Sequence, residues 1–222
     1  MSELKFKGAI FDLDGTLACT LPDLQYSLNA MLEAAGYPTL DEAGVLRSVN
    51  YTVRNFVRLS LPEEVQSDEA EVDRCLEIYT GIYSEHFCDH TYIYEGLSEV
   101  IEKLKAAGIR LAVNTNKAHD HASAMIEKLC PPGTFEIIIG AGIFKGKPDP
   151  TGAFHIAEQL GLKPEDFCYI GDSNVDMETA GNAGMHAVGV SWGYRDETVL
   201  RESGADVIVK TAEDILDVVG LN

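Results

Sequence analysis

The chain has 222 residues, of which 45% are hydrophobic and 24% charged, a profile that fits one large domain or one domain carrying a smaller insert. Its 36 acidic residues against 17 lysines and arginines give a formal charge of -19, and such a field repels nucleic acid and acidic membrane surfaces. Because the same field repels phosphorylated small molecules, a phosphate site in this chain needs local positive charge from a metal ion or a lysine.

The cysteines bear on the cellular compartment. The sequence has five of them, scattered and without a CxxC pair, which favours a reducing compartment over a disulfide framework or a structural zinc site. The start of the chain lacks the long apolar segment of a signal peptide, and no stretch is apolar for long enough to span a bilayer. We therefore expect a cytoplasmic protein.

The first predicted strand is a short apolar run at residues 8–11, which ends at Asp12. Residues 21–92 then carry apolar side chains at helical spacing and no convincing strand. This break in rhythm predicts a helical cap domain at 19–92, inserted after the first strand of a core domain at 1–18 and 93–222.

From residue 97 onward, helical and strand patterns alternate. Helices are predicted at 97–107, 118–129, 152–160 and 176–183, and strands at 109–113, 136–139, 167–170, 186–190 and 206–209. Such alternation is typical of parallel βαβ units. The predicted fold class is therefore α/β, with a doubly wound, Rossmann-like parallel sheet.

Four polar clusters fall at the ends of predicted strands. They are DLDGT at 12–16, NTN at 114–116, KGKPDP at 145–150 and GDSNVD at 171–176. Ligands of open parallel sheets bind beyond the carboxyl ends of the strands, so these clusters would share one site. One polar residue at a strand end means little, but four such clusters together indicate a functional site.

Two aspartates in the first cluster have a spacing that suits phosphoryl transfer, which needs an in-line nucleophile and a means of spreading negative charge. The carboxylate of Asp12 can attack phosphorus and form an acyl phosphate. Asp14, two residues on, can protonate the leaving oxygen and later activate water. Taken alone, both aspartates would also fit helix caps or turns.

In this order and spacing, the four clusters resemble the haloacid dehalogenase superfamily of phosphatases, and the likeness covers nearly the whole predicted core. The insert resembles the helical C1-type cap of the subgroup that includes phosphoglycolate phosphatase and β-phosphoglucomutase. The resemblance implies a magnesium-dependent phosphatase that hydrolyses a small, phosphoglycolate-like phosphomonoester through an aspartyl-phosphate on Asp12. It gives Asp14 the acid and base role.

The resemblance also implies a set of ligands for Mg2+, an ion that prefers oxygen donors. The family pattern assigns the carboxylates of Asp12 and Asp172 and the backbone carbonyl of Asp14. Asp176 would support the metal shell or hold Lys147 in place, and it equally suits the first turn of a helix.

The phosphate contacts follow from the same pattern. The family uses a Ser or Thr, often followed by Asn, and Thr115 and Asn116 match it. Thr115 would also fit the N-cap of the next helix. The family lysine stands directly before a proline, which selects Lys147 and leaves Lys145 as a solvated loop charge.

Substrate specificity is expected from the cap. Residues 48–54 sit where the subgroup carries its substrate-reading loop, and Asn50 and Tyr51 stand where relatives often have a glycine-rich sequence. Arg54 and Arg58 are candidates for a forked, two-hydrogen-bond contact with a second anionic group of the substrate, such as a carboxylate. Ordinary surface charge on a helix is the alternative for both arginines.

Other functions remain compatible with these residues. A β-phosphoglucomutase-like isomerase would return the phosphoryl group to a sugar rather than to water, and pyrophosphate is a further candidate substrate. Outside enzymes, a signalling module phosphorylated on aspartate is an alternative, although a switch has no need of a lid. The expected partner is a small phosphorylated molecule, with neither nucleic acid nor membrane, for a monomer or homodimer.

Overall fold

The structure, a computed structural model, describes residues 4–49 and 52–221. The chain forms two compact units, Met1–Cys19 with Ile93–Asn222 and Thr20–Tyr92. The boundary predicted from the sequence lies one residue earlier, so Cys19 falls in the first unit rather than in the second.

The strands, in chain order, are β1 (Gly8–Phe11), β2 (Ala18–Cys19), β3 (Tyr92–Ile93), β4 (Arg110–Ala118), β5 (Ile137–Ala141), β6 (Phe167–Gly171), β7 (His186–Val190) and β8 (Val207–Val209). Six of them form one sheet in the order β5-β4-β1-β6-β7-β8, and each neighbouring pair is parallel. β2 and β3 pair as a separate two-stranded sheet. All of β1 is buried near the centre of the large sheet, as expected for a parallel sheet covered on both faces. The predicted α/β fold with a doubly wound parallel sheet is confirmed.

The helices, in chain order, are α1 (Leu21–Ala35), α2 (Glu42–Leu46), α3 (Val53–Ser60), α4 (Glu69–His86), α5 (Leu97–Ala106), α6 (His119–Leu129), α7 (Thr151–Leu160), α8 (Asn174–Ala183), α9 (Glu197–Glu202) and α10 (Asp214–Val219). α7 and α8 end at Gly161 and Gly184, both in the left-handed conformation that glycine adopts without steric cost. Among the described residues, none of these helices combines the length and the apolar character that crossing a bilayer requires.

β4 is longer than the sequence predicts. The predicted strand ends at residue 113, whereas β4 continues through the NTN cluster to Ala118. Its pairing with β1 stops at Val113, and its register against β5 shifts between Asn114 and Ala118. Because of this irregularity, β4 stays paired with β5 while its polar residues extend past the end of β1. They therefore lie at the carboxyl edge of the sheet.

The second unit is helical over its described residues, apart from Tyr92 in β3. α4 packs against both α1 and α3, and apolar side chains such as Leu28 and Tyr79 are buried there. Asp23 in α1 accepts hydrogen bonds from the backbone N–H groups of His90 and Thr91. This buried carboxylate therefore ties the start of the unit to its end.

Candidate active site

Asp12 directly follows β1, and three other charged side chains meet it there. Lys147 Nζ lies 2.7 Å from Asp12 Oδ1 and 2.5 Å from Asp176 Oδ1. Asp12, Asp172 and Asp176 each offer a carboxylate oxygen within 4.8 Å of the other two. All three carboxylates and the side chain of Lys147 are buried. The first, third and fourth polar clusters therefore converge on one point.

Burial and mutual repulsion govern the protonation of these carboxylates. Burial first, and then the charge of Asp176, raise the pKa of Asp12 to about 7 against the opposing effect of Lys147. Burial and the charges of Asp176 and Asp12 also raise the pKa of Asp172 well above its ordinary value. Burial lowers the pKa of Lys147, but Asp12 and Asp176 outweigh it and hold that pKa well above its usual range. One ammonium group does not offset three buried carboxylates, so the cluster favours further positive charge.

The donor set of this cluster suits a hard divalent cation. Its donors are carboxylate oxygens, the ligands that Mg2+ and Ca2+ prefer, and neither His nor Cys belongs to the group among the described residues. Asp12 and Asp172 are the two side chains predicted as ligands, and burial raises the pKa of both carboxyl groups. A bound cation would oppose this rise, because positive charge favours the ionised carboxylates. The residues present therefore fit a metal ion.

Asp176 reaches the cluster from the first turn of α8. Ser173 donates to Asp176 Oδ2 from its hydroxyl at 2.6 Å and from its backbone N–H at 3.1 Å. The backbone N–H of Asp176 donates in turn to Ser173 Oγ at 3.4 Å, and this bond and the one from the Ser173 N–H form a capping box. The other oxygen, Oδ1, accepts from Lys147. A Cβ at Gly171 would lie 2.2 Å from Asp176 Cβ, so a glycine at the end of β6 makes room for this carboxylate.

Asp172 is held by a loop to which the sequence analysis gave no role. The backbone N–H of Tyr194 donates to Asp172 Oδ2 at 2.7 Å, and the indole of Trp192 donates to the backbone carbonyl of Thr16 at 3.1 Å. A Cβ at Gly193 would come 2.2 Å from Asp172 Cβ, so this position accepts only glycine without displacement. A glycine between two aromatic residues just after a strand was the signal that could have indicated a close approach of backbone to the site.

Asn116 contacts the lysine loop. Its side-chain Oδ1 accepts from the backbone N–H of Lys147 at 2.8 Å, and its Nδ2 donates to the backbone carbonyl of Lys147 at 3.2 Å. Both polar atoms of the side chain are thus engaged with one residue. The predicted phosphate contact of Asn116 stays a prediction, and the observed contact anchors the backbone from which Lys147 projects.

A second buried lysine, missed by the sequence analysis, contacts Asp14. Lys117 Nζ lies 2.8 Å from Asp14 Oδ1, and the backbone N–H of Lys117 donates to Thr115 Oγ1 at 3.2 Å. The N-cap of α6 is Ala118, so Thr115 does not cap that helix. Its predicted contact with phosphate stays a prediction. A lysine directly after NTN, at the end of a buried strand, was the available signal for Lys117.

The cap candidates have separate outcomes. Asn50 and Tyr51 lie outside the described residues. Arg54 belongs to the second unit, where its guanidinium contacts Asp73 and lies 2.6 Å from Glu69. The structure therefore places Arg54 in ion pairs between α3 and α4, and its role in specificity stays a prediction.

Comparison with known proteins gives this geometry a context. The family model described as haloacid dehalogenase-like hydrolase matches residues 9–190. A phosphoglycolate phosphatase of Chromobacterium violaceum is 32% identical over 214 residues, which are 95% of each chain. One from Mesorhizobium japonicum is 37% identical over 195 residues, covering 86% of this chain and 85% of the relative.

Two further similarities extend this picture. An N-acetylmuramic acid 6-phosphate phosphatase of Pseudomonas aeruginosa is 30% identical over 220 residues, which cover 98% of this chain and 96% of that protein. A solved structure from Lactobacillus delbrueckii subsp. bulgaricus superposes with a TM-score of 0.90 at 30% identity, covering 98% of this chain and all of that one. The similarity in sequence and structure thus spans both units.

Proposed function

We propose that this chain, which belongs to the haloacid dehalogenase-like hydrolases, cleaves phosphoglycolate-like esters through a phosphorylated Asp12. Its relatives and its family make it a phosphatase of small phosphorylated substrates. The observation that carries this mechanism is the contact of the buried Asp12 carboxylate with Lys147, 2.7 Å away, beside Asp172 and Asp176. Such a site joins a nucleophile to the positive charge that a phosphoryl group requires.

The reaction takes place in two steps. In the first, a carboxylate oxygen of Asp12 forms a bond to phosphorus, the ester P–O bond breaks, and Asp14 gives its proton to the leaving oxygen. In the second, Asp14 takes a proton from water, whose oxygen attacks phosphorus and releases phosphate from Asp12. Lys147 stabilises negative charge on the phosphoryl oxygens in both steps.

A divalent cation, Mg2+ in this proposal, would be held by Asp12 and Asp172, with the backbone carbonyl of Asp14 as a third ligand. When bound, it supplies positive charge beside the phosphoryl group and keeps the carboxylates ionised. Asp176 acts through Lys147, which it contacts at 2.5 Å, and Asn116 acts through the backbone of the same lysine.

The substrate proposed is a phosphate monoester that also carries a carboxylate. Phosphoglycolate and N-acetylmuramic acid 6-phosphate, the substrates named for the relatives, share this chemistry. A cytoplasmic location, a monomer or homodimer, and no binding of nucleic acid or membrane complete the proposal. For the predicted specificity role of Arg54, Arg54→Ala should lower kcat/KM on carboxylated esters more than on neutral ones. A ratio of the two kcat/KM values unchanged from the wild type would remove the role.

The decisive experiment is a screen of phosphorylated metabolites with Mg2+, run on the wild type, Asp12→Asn and Asp217→Asn. Asp217 is an exposed aspartate on α10, so the third protein controls for the substitution itself. We expect turnover by the wild type and Asp217→Asn, and none by Asp12→Asn. When a wild-type reaction is quenched with acid, the mass of the enzyme should be greater by one phosphoryl group. Turnover by Asp12→Asn at the wild-type rate would exclude the covalent mechanism.

A further inference from the structure

The pair of Lys117 and Asp14 is a second lysine–aspartate contact beside the proposed phosphoryl site. Lys117 Nζ is 2.8 Å from Asp14 Oδ1, and the two side chains are only 5% and 16% exposed. We propose that Lys117 is a positioning residue that holds the Asp14 carboxyl where it exchanges protons with the leaving oxygen and with water. The inference rests on the proposed function, because it presupposes the acid and base role of Asp14.

The backbone of Lys117 is fixed from two sides, and its side chain is only 5% exposed. The backbone N–H donates to Thr115 Oγ1 at 3.2 Å. On the other side, β5 approaches so closely that a Cβ at Gly140 would lie 2.7 Å from the carbonyl oxygen of Lys117. A lysine has a long and flexible side chain, and its immobilisation here lets one ammonium group define one place for the partner carboxyl.

Asp14 needs such a restraint because of its surroundings. It precedes Gly15, whose φ of +82° turns the chain sharply away from β1, and its carboxyl keeps partial access to solvent. A short carboxyl at a turn has other rotamers open to it. A charge-assisted hydrogen bond to a buried lysine selects one of them, and misplacement of a reacting group by about 1 Å can cost on the order of 100-fold in rate.

The two buried lysines therefore contact different aspartates of the site. Lys147 contacts Asp12, the proposed nucleophile, and Lys117 contacts Asp14, the proposed acid and base. This division makes a selective prediction. Loss of Lys117 should impair proton delivery to the leaving oxygen, whereas loss of Lys147 should impair phosphoryl transfer from every substrate to Asp12.

The test compares kcat/KM for an alkyl phosphate and for p-nitrophenyl phosphate, because kcat/KM reports only the steps up to phosphorylation of the enzyme. An alkoxide must be protonated as it leaves, and p-nitrophenolate needs little help. We expect Lys117→Met to lower kcat/KM on the order of 10- to 100-fold for the alkyl phosphate and less than about 3-fold for p-nitrophenyl phosphate. Lys117→Arg should restore part of the loss, and the exposed Lys145→Met should match the wild type on both substrates.

A double-mutant cycle separates this role from a general structural one. In an Asp14→Asn background, Lys117→Met should cost nothing further on the alkyl phosphate, since its effect passes through Asp14. An equal loss on both substrates, or an undiminished loss in the Asp14→Asn background, overturns the inference. If Lys117→Met does not fold, judged by its melting temperature, Lys117→Gln takes its place under the same criteria.

The proposed function and the inference fail in different ways. If Asp12→Asn or Asp14→Asn keeps wild-type activity on the alkyl phosphate, the proposed mechanism is wrong. If both are impaired while Lys117→Met keeps the wild-type ratio between the two substrates, the mechanism stands and only the role of Lys117 is excluded.

Discussion

Two sets of ion pairs, the lysine–aspartate pairs at the candidate site of the first unit and the arginine–glutamate pairs of the second unit, differ in exposure. The first unit also holds exposed ion pairs away from the site, such as that of Arg110 with Glu136. In the first unit, the side chains of Lys147 and Lys117 are 4% and 5% exposed beside their aspartates. In the second unit, Arg54 and Glu69 pair with 35% and 64% of their side chains exposed. Arg58, which also contacts Glu69, is likewise solvent-accessible.

This difference in exposure distinguishes charged side chains that serve function from charged side chains that lie at the surface. Removing charges from water is costly, and a buried ion pair often stabilises a fold no better than apolar residues would. Exposed pairs contribute little to stability in either direction. The buried lysines are therefore better explained by phosphoryl transfer than by folding, and the arginine pairs of the second unit by the local packing of two helices.

The largest expected effect is that of Lys147→Met. This change leaves Asp12 and Asp176 without the ammonium group that both contact and removes charge stabilisation from the phosphoryl group. We expect kcat/KM to fall about 100- to 1,000-fold on alkyl and aryl phosphates alike. Steady-state kinetics beside Lys145→Met, in the same loop but 82% exposed, is the measurement. An effect as small as that of the control would contradict the assignment of Lys147.

Metal removal should follow in size. A chelator should lower turnover about 100-fold. Mg2+ at 100 times its Kd should stabilise the folded protein by about 2.7 kcal/mol, seen as a rise in melting temperature. Asp172→Asn should lose this rise, because Asp172 is a proposed ligand in the buried cluster. The exposed Asp217→Asn is the matched control. Full activity in excess chelator would remove the metal from the mechanism.

Gly193→Ala tests whether the loop around Tyr194 positions Asp172. The added Cβ would meet Asp172 Cβ at 2.2 Å and the carbonyl oxygen of Gly15 at 2.6 Å, so loop or carboxylate must move. We expect about 10- to 100-fold weaker Mg2+ binding by calorimetry. Gly181→Ala is the control, since a Cβ there meets nothing within 4 Å. Unchanged affinity in Gly193→Ala would mean that the loop yields without disturbing Asp172.

The sequence predicted the parallel sheet because apolar runs and glycine stops alternate along 97–222, and each predicted strand is present with shifts of a few residues. It also selected Lys147 over Lys145, and these two differ in burial as expected. These features are local: they depend on periodicity, on strand ends and on the residue before a proline.

What the sequence could not predict is long-range. Nothing in the motifs says that a backbone N–H from residue 194 reaches Asp172, or that Asn116 uses both polar atoms on Lys147. Lys117 was missed because the predicted strand ended at residue 113, while β4 continues to Ala118 with a shift in register. Such contacts depend on how loops that are far apart in the sequence meet in the fold, and the local pattern of apolar and polar residues carries no direct information about this.

The smallest effect is expected at the exposed pairs of the second unit, for which Glu69→Gln is the probe. Hydrogen bonds from Arg58 and Arg54 lower the pKa of Glu69 from 4.5 to about 2. A carboxyl whose pKa is lowered on folding stabilises the fold above its unfolded pKa, and that contribution disappears as the pH falls through the folded pKa. The melting temperature of Glu69→Gln should thus lie at most about 3 °C below the wild type at pH 7, and the gap should close between pH 4.5 and 2.

Glu77→Gln on the same helix is the control, because Glu77 is exposed and makes no ion pair among the described residues. Catalytic rates on a phosphate ester without a carboxylate should be unchanged in both variants. A gap that widens toward acid pH would reverse the sign of the linkage. A loss of activity comparable to that of Lys147→Met would show that the exposed arginine pairs serve catalysis after all, and the contrast between the two sets of ion pairs would then no longer separate function from surface charge.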